Sequence, residues 1–235
     1  MLFDLQKSIS IPVMPGLITA DLLKTFITDL STLPIGVESK TLGVHRFNFL
    51  KYPFVPIGTK LLEESAGFVK ELMKVLSYTK NAQAVLVDGE QFIQSNGKAE
   101  FARFQKILQT AKKDANIACV FYGLDRFLST LEDPDGTMNE ILSKAAQLGN
   151  VAIIAIDTAN KLKNHEYDSW YKAYSNEENG IWLGSGVNDQ YLVNINLSLR
   201  ERNNNCGLAF GYSANPKRSV VIKVVGLRNS EDGEE

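Results

Sequence analysis

The chain has 235 residues, 44% hydrophobic and 22% charged, with 17 glycines and 7 prolines; this ordinary globular composition excludes collagen-like, low-complexity and disordered classes. Lysine and arginine number 25 against 27 aspartates and glutamates, a net charge of −2, so no general attraction to phosphate backbones or anionic lipid exists, and neither nucleic acid nor direct membrane contact is expected. No apolar run reaches the roughly 18 residues of a membrane span, and the start Met1-Leu2-Phe3-Asp4 is no signal peptide, so a soluble cytosolic chain is expected.

Residues 1–50 read as a lead-in packed on the core, with an apolar Ile9 to Val13, a helix predicted over Ala20 to Leu30 and an alternating stretch around Leu42 to Phe49. After Phe54-Val55-Pro56-Ile57 come three all-apolar runs, Ala84 to Val87, Ile117 to Tyr122 and Val151 to Ile156. Such runs mark strands covered on both faces, as in a parallel sheet. Between them, Leu61, Leu62, Phe68, Val69, Leu72, Met73 and Leu76 recur at helical spacing, then Phe101, Phe104, Leu108 and Ala111, then Met138, Ile141, Leu142 and Ala145. Strand alternating with amphipathic helix is the order of an open, doubly wound sheet. Beyond Asn164 the pattern turns to short alternating strands at Tyr191 to Ile195, Leu208 to Tyr212 and Val220 to Val225, with turns at Asn203-Asn204-Asn205 and Asn215-Pro216, predicting an antiparallel C-terminal edge. Residues 1–228 are expected to form a single α/β domain, followed by an acidic, disordered tail over 229–235. Cys119, in an apolar run, and Cys206, in a polar loop, are expected as free thiols, which leaves the sequon at Asn196 a chance match.

Ligands of open α/β sheets collect at the carboxyl ends of strands, which directs attention to Gly58 to Ser65, Asp88-Gly89-Glu90, Tyr122-Gly123-Leu124-Asp125, Asp157-Thr158 and Gly184-Ser185-Gly186. A phosphate-binding loop reads Gly, four residues, Gly, Lys, then Ser or Thr. The frame Gly58, Thr59-Lys60-Leu61-Leu62, Glu63, Glu64, Ser65 keeps the outer glycine and the serine but puts glutamates in place of the inner glycine and the lysine. Carboxylates in a first helical turn are favoured by about 0.3 to 1 kcal/mol each, and they repel a phosphate at about 4 Å by about 4 kcal/mol at an effective dielectric near 20. The same two residues are also good openers of an ordinary helix, and spacing alone leaves both readings open.

A nucleotide hydrolase also needs a strand ending in acids that hold magnesium and orient water. Ile117 to Phe121 runs instead into Tyr122 and Gly123, and Asp125 reads as the cap and first turn of the next helix. Asp88 ends its strand like a magnesium ligand but lacks a partner lysine or base; a turn role suits it as well. His45 and His165 have no triad or metal spacing and are treated as structural, and Trp170 with Tyr167, Tyr171 and Tyr174 reads as packing on one helix rather than as base stacking.

The sequence resembles the ATPase modules of the FtsK/SpoIIIE class, and most closely the last module of EssC-type coupling proteins of type VII secretion. The resemblance rests on Ile11-Pro12-Val13-Met14-Pro15, Leu33-Pro34-Ile35-Gly36-Val37, the Asp88-Gly89 strand end, and Gly180 to Gln190, above all Gly180-Ile181-Trp182, followed by Gly211-Tyr212. It implies a phosphate-loop-NTPase-like, RecA/FtsK-like, mostly parallel sheet flanked by helices. It further implies a fragment of a longer membrane-anchored protein, at the cytoplasmic face of the membrane, beside upstream ATPase modules and with a homo-oligomer in the full-length chain. Its partners would be secreted small helical WXG-type proteins. The nucleotide pocket would be degenerate at Gly58, Glu63, Glu64, Ser65, Asp88, Tyr122 and Gly123, with no catalytic residue, no metal and no cofactor. Two alternatives accompany this expectation: an active hydrolase in which Lys60 replaces the missing lysine and Asp88 or Asp125 the missing acid, and a purely structural cap for a ring of modules.

Overall fold

The computed structural model describes residues 14–113, 115–203 and 209–228. Among the described residues nine strands form one sheet: β1 (Leu33–Glu38), β2 (Val44–Phe47), β3 (Phe54–Thr59), β4 (Ala82–Asp88), β5 (Asn116–Tyr122), β6 (Val151–Thr158), β7 (Ile181–Leu183), β8 (Phe210–Ser213) and β9 (Val220–Val224). Their order across the sheet is β2-β1-β9-β8-β7-β3-β6-β5-β4. The block β7-β3-β6-β5-β4 is parallel throughout, and the block β2-β1-β9-β8 joins β7 through antiparallel pairs.

The helices are α1 (Ala20–Leu23), α2 (Ala66–Tyr78), α3 (Gly97–Thr110), α4 (Leu124–Leu128), α5 (Pro134–Leu148), α6 (Ala159–Lys163), α7 (Ser169–Tyr174) and α8 (Leu199–Asn203). Period-two alternation sends successive side chains to opposite faces of the sheet. Ala118, Val120 and Tyr122 of β5 join the core under α2 with Phe68, Val69 and Leu72, together with Ala152, Ile154 and Ile156 of β6. Ile117, Cys119 and Phe121 join the opposite core with Phe101, Phe104, Met138 and Leu142 from α3 and α5. This is why the parallel strands read as unbroken apolar runs: both faces are covered.

Several sequence expectations need correction. The antiparallel part is not confined to the C-terminal edge, because the lead-in contributes β1 and β2, and β1 pairs with β9; the lead-in thus enters the sheet as well as packing on the core through Ile18, Leu23 and Leu30. The helix expected over Ala20 to Leu30 is one α turn followed by 3-10 turns at Lys24–Phe26 and Leu30–Thr32. Tyr191 to Ile195 forms no strand, since the Gln190 side chain takes the Leu192 and Val193 amides that a ladder would use. Trp170, Tyr171 and Tyr174 share α7, but Tyr167 precedes it. The turn expected at Asn203 falls at the end of α8. The stretch Ile9 to Val13, the rest of that turn, Cys206 and the tail over 229–235 lie outside the described residues.

Candidate functional site

Beyond β3 the chain runs through Lys60 to Leu62 into a 3-10 turn at Glu63–Ser65 and then α2, the strand, loop and helix order the phosphate-loop frame requires. The polarity of the loop is inverted. The Leu62 carbonyl accepts from the Ser65 amide at 3.0 Å, from the Ser65 hydroxyl at 2.7 Å and from the Tyr122 hydroxyl at 2.7 Å. The Thr59 hydroxyl likewise donates to the Leu61 carbonyl at 3.2 Å. Phosphate cradles aim amide N–H groups at the anion; here carbonyls turn inward and the chain's own hydroxyls satisfy them.

Tyr122 reaches the loop for a topological reason. β6 separates β5 from β3, and only the α2-facing parity of β5 looks towards the loop, so the long phenol spans what a shorter side chain would not. Burial, together with the carboxylates of Asp88, Glu63 and Glu90, pushes the Tyr122 hydroxyl up to about 12. It therefore stays a proton donor at neutral pH. Leu62 and Ser65 are buried. The cavity left between Thr59, Glu64, Ser65, Leu183, Gly184 and Leu227 measures about 10 Å³, room for no more than one water. Glu63 and Glu64 stand exposed at the mouth, and the half-exposed rings and chains of Phe92 and Leu61, each 51% accessible, lie nearby, Phe92 with its ring 6.2 Å from Tyr122.

The remaining sequence candidates have other partners. Asp88, buried, accepts from the Glu90, Ile93 and Gln94 amides at 3.1, 2.5 and 2.9 Å, so its carboxylate organises the loop after β4. Gly123 adopts a left-handed φ of 72° and caps α4; a Cβ there would come within 2.5 Å of Glu90 Cγ. Asp125 sits in the first turn of α4 rather than at its cap. Gly58 has Trp182 and Leu192 pressed against it, where a Cβ would lie within 3.0 Å of both. The structure thus brings Ser65 and Tyr122 together through Leu62, and uses Asp88 and Gly123 to shape the adjoining turns.

On the opposite face the strand ends at Glu90, Asp125 and Asp157, singled out separately in the sequence, meet in a second cluster with Lys161, beside His165, a meeting the sequence did not show. Asp157, fully buried at the end of β6, accepts from the Asp125 amide at 3.1 Å and the Thr158 amide at 2.8 Å. Lys161 lies 3.9 Å from it and 2.6 Å from Glu90. Burial raises Asp157 to about 6, against the opposing pull of those amides and of Lys161. His165 lies beside this cluster, 2.7 Å from Asp168 through Nδ1 and 3.3 Å from Asp125 through Nε2. His45 pairs with Glu38 at 3.2 Å, and burial lowers its pKa. Neither histidine joins a group of three or more metal-ligating side chains among the described residues.

A concavity of about 580 Å³ lies in the segment after β7. It is lined by Val187, Tyr191, Val193, Ile195, Leu197 and Leu199, with Lys163 and Glu177 among its other residues. Tyr191 and Leu199 are 81% and 80% exposed, and Lys163 and Glu177 pair with each other at 3.4 Å. The groove is therefore mixed, apolar side chains alternating with Asn188, Gln190 and Asn194, and its one lysine and one glutamate are paired.

A parallel block extended by antiparallel strands, with a loop and helix following β3, makes this a mixed α/β module. Among solved structures the chain is similar to the cytoplasmic domain of EssC, with a TM-score of 0.71 and 14% identity over 92% of this chain and 48% of that one. It is also similar to EssC ATPases 2 and 3 from Geobacillus thermodenitrificans, at 0.69 and 15% over 92% and 46%. EccC ATPases 2 and 3 from Thermomonospora curvata, solved in complex with a signal sequence peptide, match at 0.64 and 13% over 93% and 44%; EccC is described as a type VII secretion ATPase. At these identities the likeness concerns the fold, and the chain spans less than half the length of each of these three proteins. No family and no curated protein matches the sequence. Among the described residues no helix is long and apolar enough to cross a membrane.

Proposed function

We propose that this chain is a phosphate-loop-like module of a type VII secretion coupling protein that hydrolyses no nucleotide and holds secreted helical proteins, small WXG-type hairpins and their partners, for export. In the longer protein it would sit at the cytoplasmic face of the membrane beside upstream ATPase modules, within a homo-oligomer. The observation that carries the reading is the inverted loop: three donors converge on the Leu62 carbonyl where a triphosphate would need inward amides. Two carboxylates at the mouth add repulsion to this lack of room. Asp88, the acid closest to a magnesium role in sequence, spends its carboxylate on three amides, which removes support from the hydrolase alternative.

The groove offers the exposed Tyr191 and Leu199 side chains, beside the polar Asn188, Gln190 and Asn194, to an amphipathic segment, and a neighbour of the same fold has been solved with a signal sequence peptide. The test is titration of a labelled WXG-type hairpin onto this chain, alongside melting with ATP and magnesium. Saturable binding that falls at least about tenfold in Tyr191→Ala with Leu199→Ala, the weight of an interface hot spot, supports the reading. Absence of binding, or a clear melting rise with nucleotide, would overturn it.

A further inference from the structure

The segment Gly180 to Gln190 builds a second, smaller cavity, which shares only Thr59 with the cavity at the closed loop and Gln190 with the groove. Gly184 and Gly186 turn the chain with φ values of 75° and 80°, a conformation that suits glycine, and the Trp182 indole N–H pins the turn by donating to the Ser185 carbonyl at 3.0 Å. Between this turn and the start of α6 lies a cavity of about 170 Å³ over the carboxyl ends of β3 and β6, where Thr59 and Thr158 are register partners. Carboxyl-end crevices are where open α/β sheets bind ligands.

Two charges line this cavity, Lys60 and Asp189. Both are exposed, and among the described residues neither has an ion-pair partner, including each other. The Lys60 stem runs past Gly186 beside Trp182: a Cβ on Gly186 would lie 3.8 Å from Lys60 Cδ and 3.9 Å from the Trp182 ring. Asn160 and Thr158 add neutral polar groups. A cavity of this size is too small for a nucleotide, and a lone anion would leave Asp189 opposed to it. One ammonium and one carboxylate that do not neutralise each other are complementary to a ligand carrying the same two charges reversed.

We propose that this pocket binds a small zwitterion of α-amino-acid type, its carboxylate against Lys60 and its ammonium against Asp189, over the Trp182 indole. Charge-assisted contacts at both ends give specificity that neither charge gives alone. The proposal is independent of nucleotide chemistry and of the secretion reading.

The experiment follows the Trp182 indole N–H signal by NMR during titration with L-alanine, propionate and ethylamine, the last two being the same small skeleton with one charge removed. Saturable shifts with alanine are expected, and at least about tenfold weaker effects with each single-charge probe. Lys60→Gln and Asp189→Asn should each abolish the alanine shift, while Lys60→Glu with Asp189→Lys should restore it by reversing the ligand. No saturable shift, equal binding of propionate, or unchanged binding in Asp189→Asn would overturn the proposal.

Discussion

Restoring the missing glycine and lysine tests whether charge or closure keeps a triphosphate out. Glu63→Gly with Glu64→Lys removes two carboxylates from the mouth and supplies the ammonium, so an explanation resting on repulsion alone predicts recovered binding. The geometry predicts otherwise. To admit phosphates, the loop must pull the Leu62 carbonyl away from Tyr122, whose hydroxyl is fully buried and would lose its acceptor, at about 1 to 3 kcal/mol. Exposing the buried Leu62 side chain adds about 1.5 to 3 kcal/mol. A total near 4 kcal/mol weakens an otherwise micromolar site about a thousandfold, to about millimolar. At millimolar ATP with magnesium the stabilisation is then only about 0.4 kcal/mol, a rise of about 1 °C. Turnover should stay at background, because Tyr122 and Gly123 still offer no carboxylate where the water must be oriented. The variant alone should melt a few degrees lower through loss of two first-turn acids. Differential scanning fluorimetry and a coupled phosphate-release assay read both quantities. Measurable turnover, or a nucleotide-dependent rise of several degrees, would refute the closure argument.

Asp157→Asn should change how stability depends on pH. The native carboxyl is raised above its unfolded value, so its contribution is fully present below the unfolded value and lost as pH rises through about 6. The rise from an ordinary 3.8 to about 6 corresponds to about 3 kcal/mol. Urea denaturation of the variant should therefore show less destabilisation between pH 4 and 7 than wild type; parallel curves would contradict this. Glu201 has the opposite sign. Lys40 at 2.8 Å and Ser198 hold it down at about 2, with Arg218 at 3.3 Å assisting, so its stabilisation is present above about 4.5 and lost as pH falls towards 2. Glu201→Gln should lower the melting temperature at neutral pH and leave it little changed near pH 2. Cys119, buried and pushed well up in pKa by that burial, should resist thiol reagents until the protein unfolds, which timed mass spectrometry reads directly.

The parallel block was legible because its signal is local: a strand covered on both faces must be apolar at consecutive positions, and β3, β5 and β6 are. The strand-end positions were legible as places where chemistry could occur, but their partners were not. Asp88 looks like a metal ligand in sequence because nothing there shows that three amides of the following loop fold back onto it. Asp157 was legible as a strand end but not as a perturbed carboxyl, because its perturbation comes from complete burial, opposed by the Thr158 and Asp125 amides and by Lys161 of α6. β1 was misplaced because its pairing with β9 joins opposite ends of the described chain, and no short-range pattern records such a contact; β2 enters the sheet only as the partner of β1. Tyr122 read as a missing acid; its positive role as a donor to Leu62, 60 positions away, depends on sheet order.

That donor makes a prediction separating local from global stability. In wild type the Leu62 carbonyl keeps the Ser65 amide and hydroxyl even without Tyr122, so Tyr122→Phe orphans no acceptor in the closed state. The ring remains buried, and global unfolding should fall by only about 0.5 to 1 kcal/mol. The open loop behaves differently. Wild-type opening strands a buried phenol hydroxyl, which costs about 1 to 3 kcal/mol, whereas the phenylalanine variant has nothing to strand. Hydrogen exchange of the Ser65 amide should therefore accelerate about 5- to 150-fold in Tyr122→Phe, while amides in β5 and β6 slow or quicken only with the global change. Acceleration spread equally over loop and sheet would mean that Tyr122 supports the core alone and that the loop is held shut by something else.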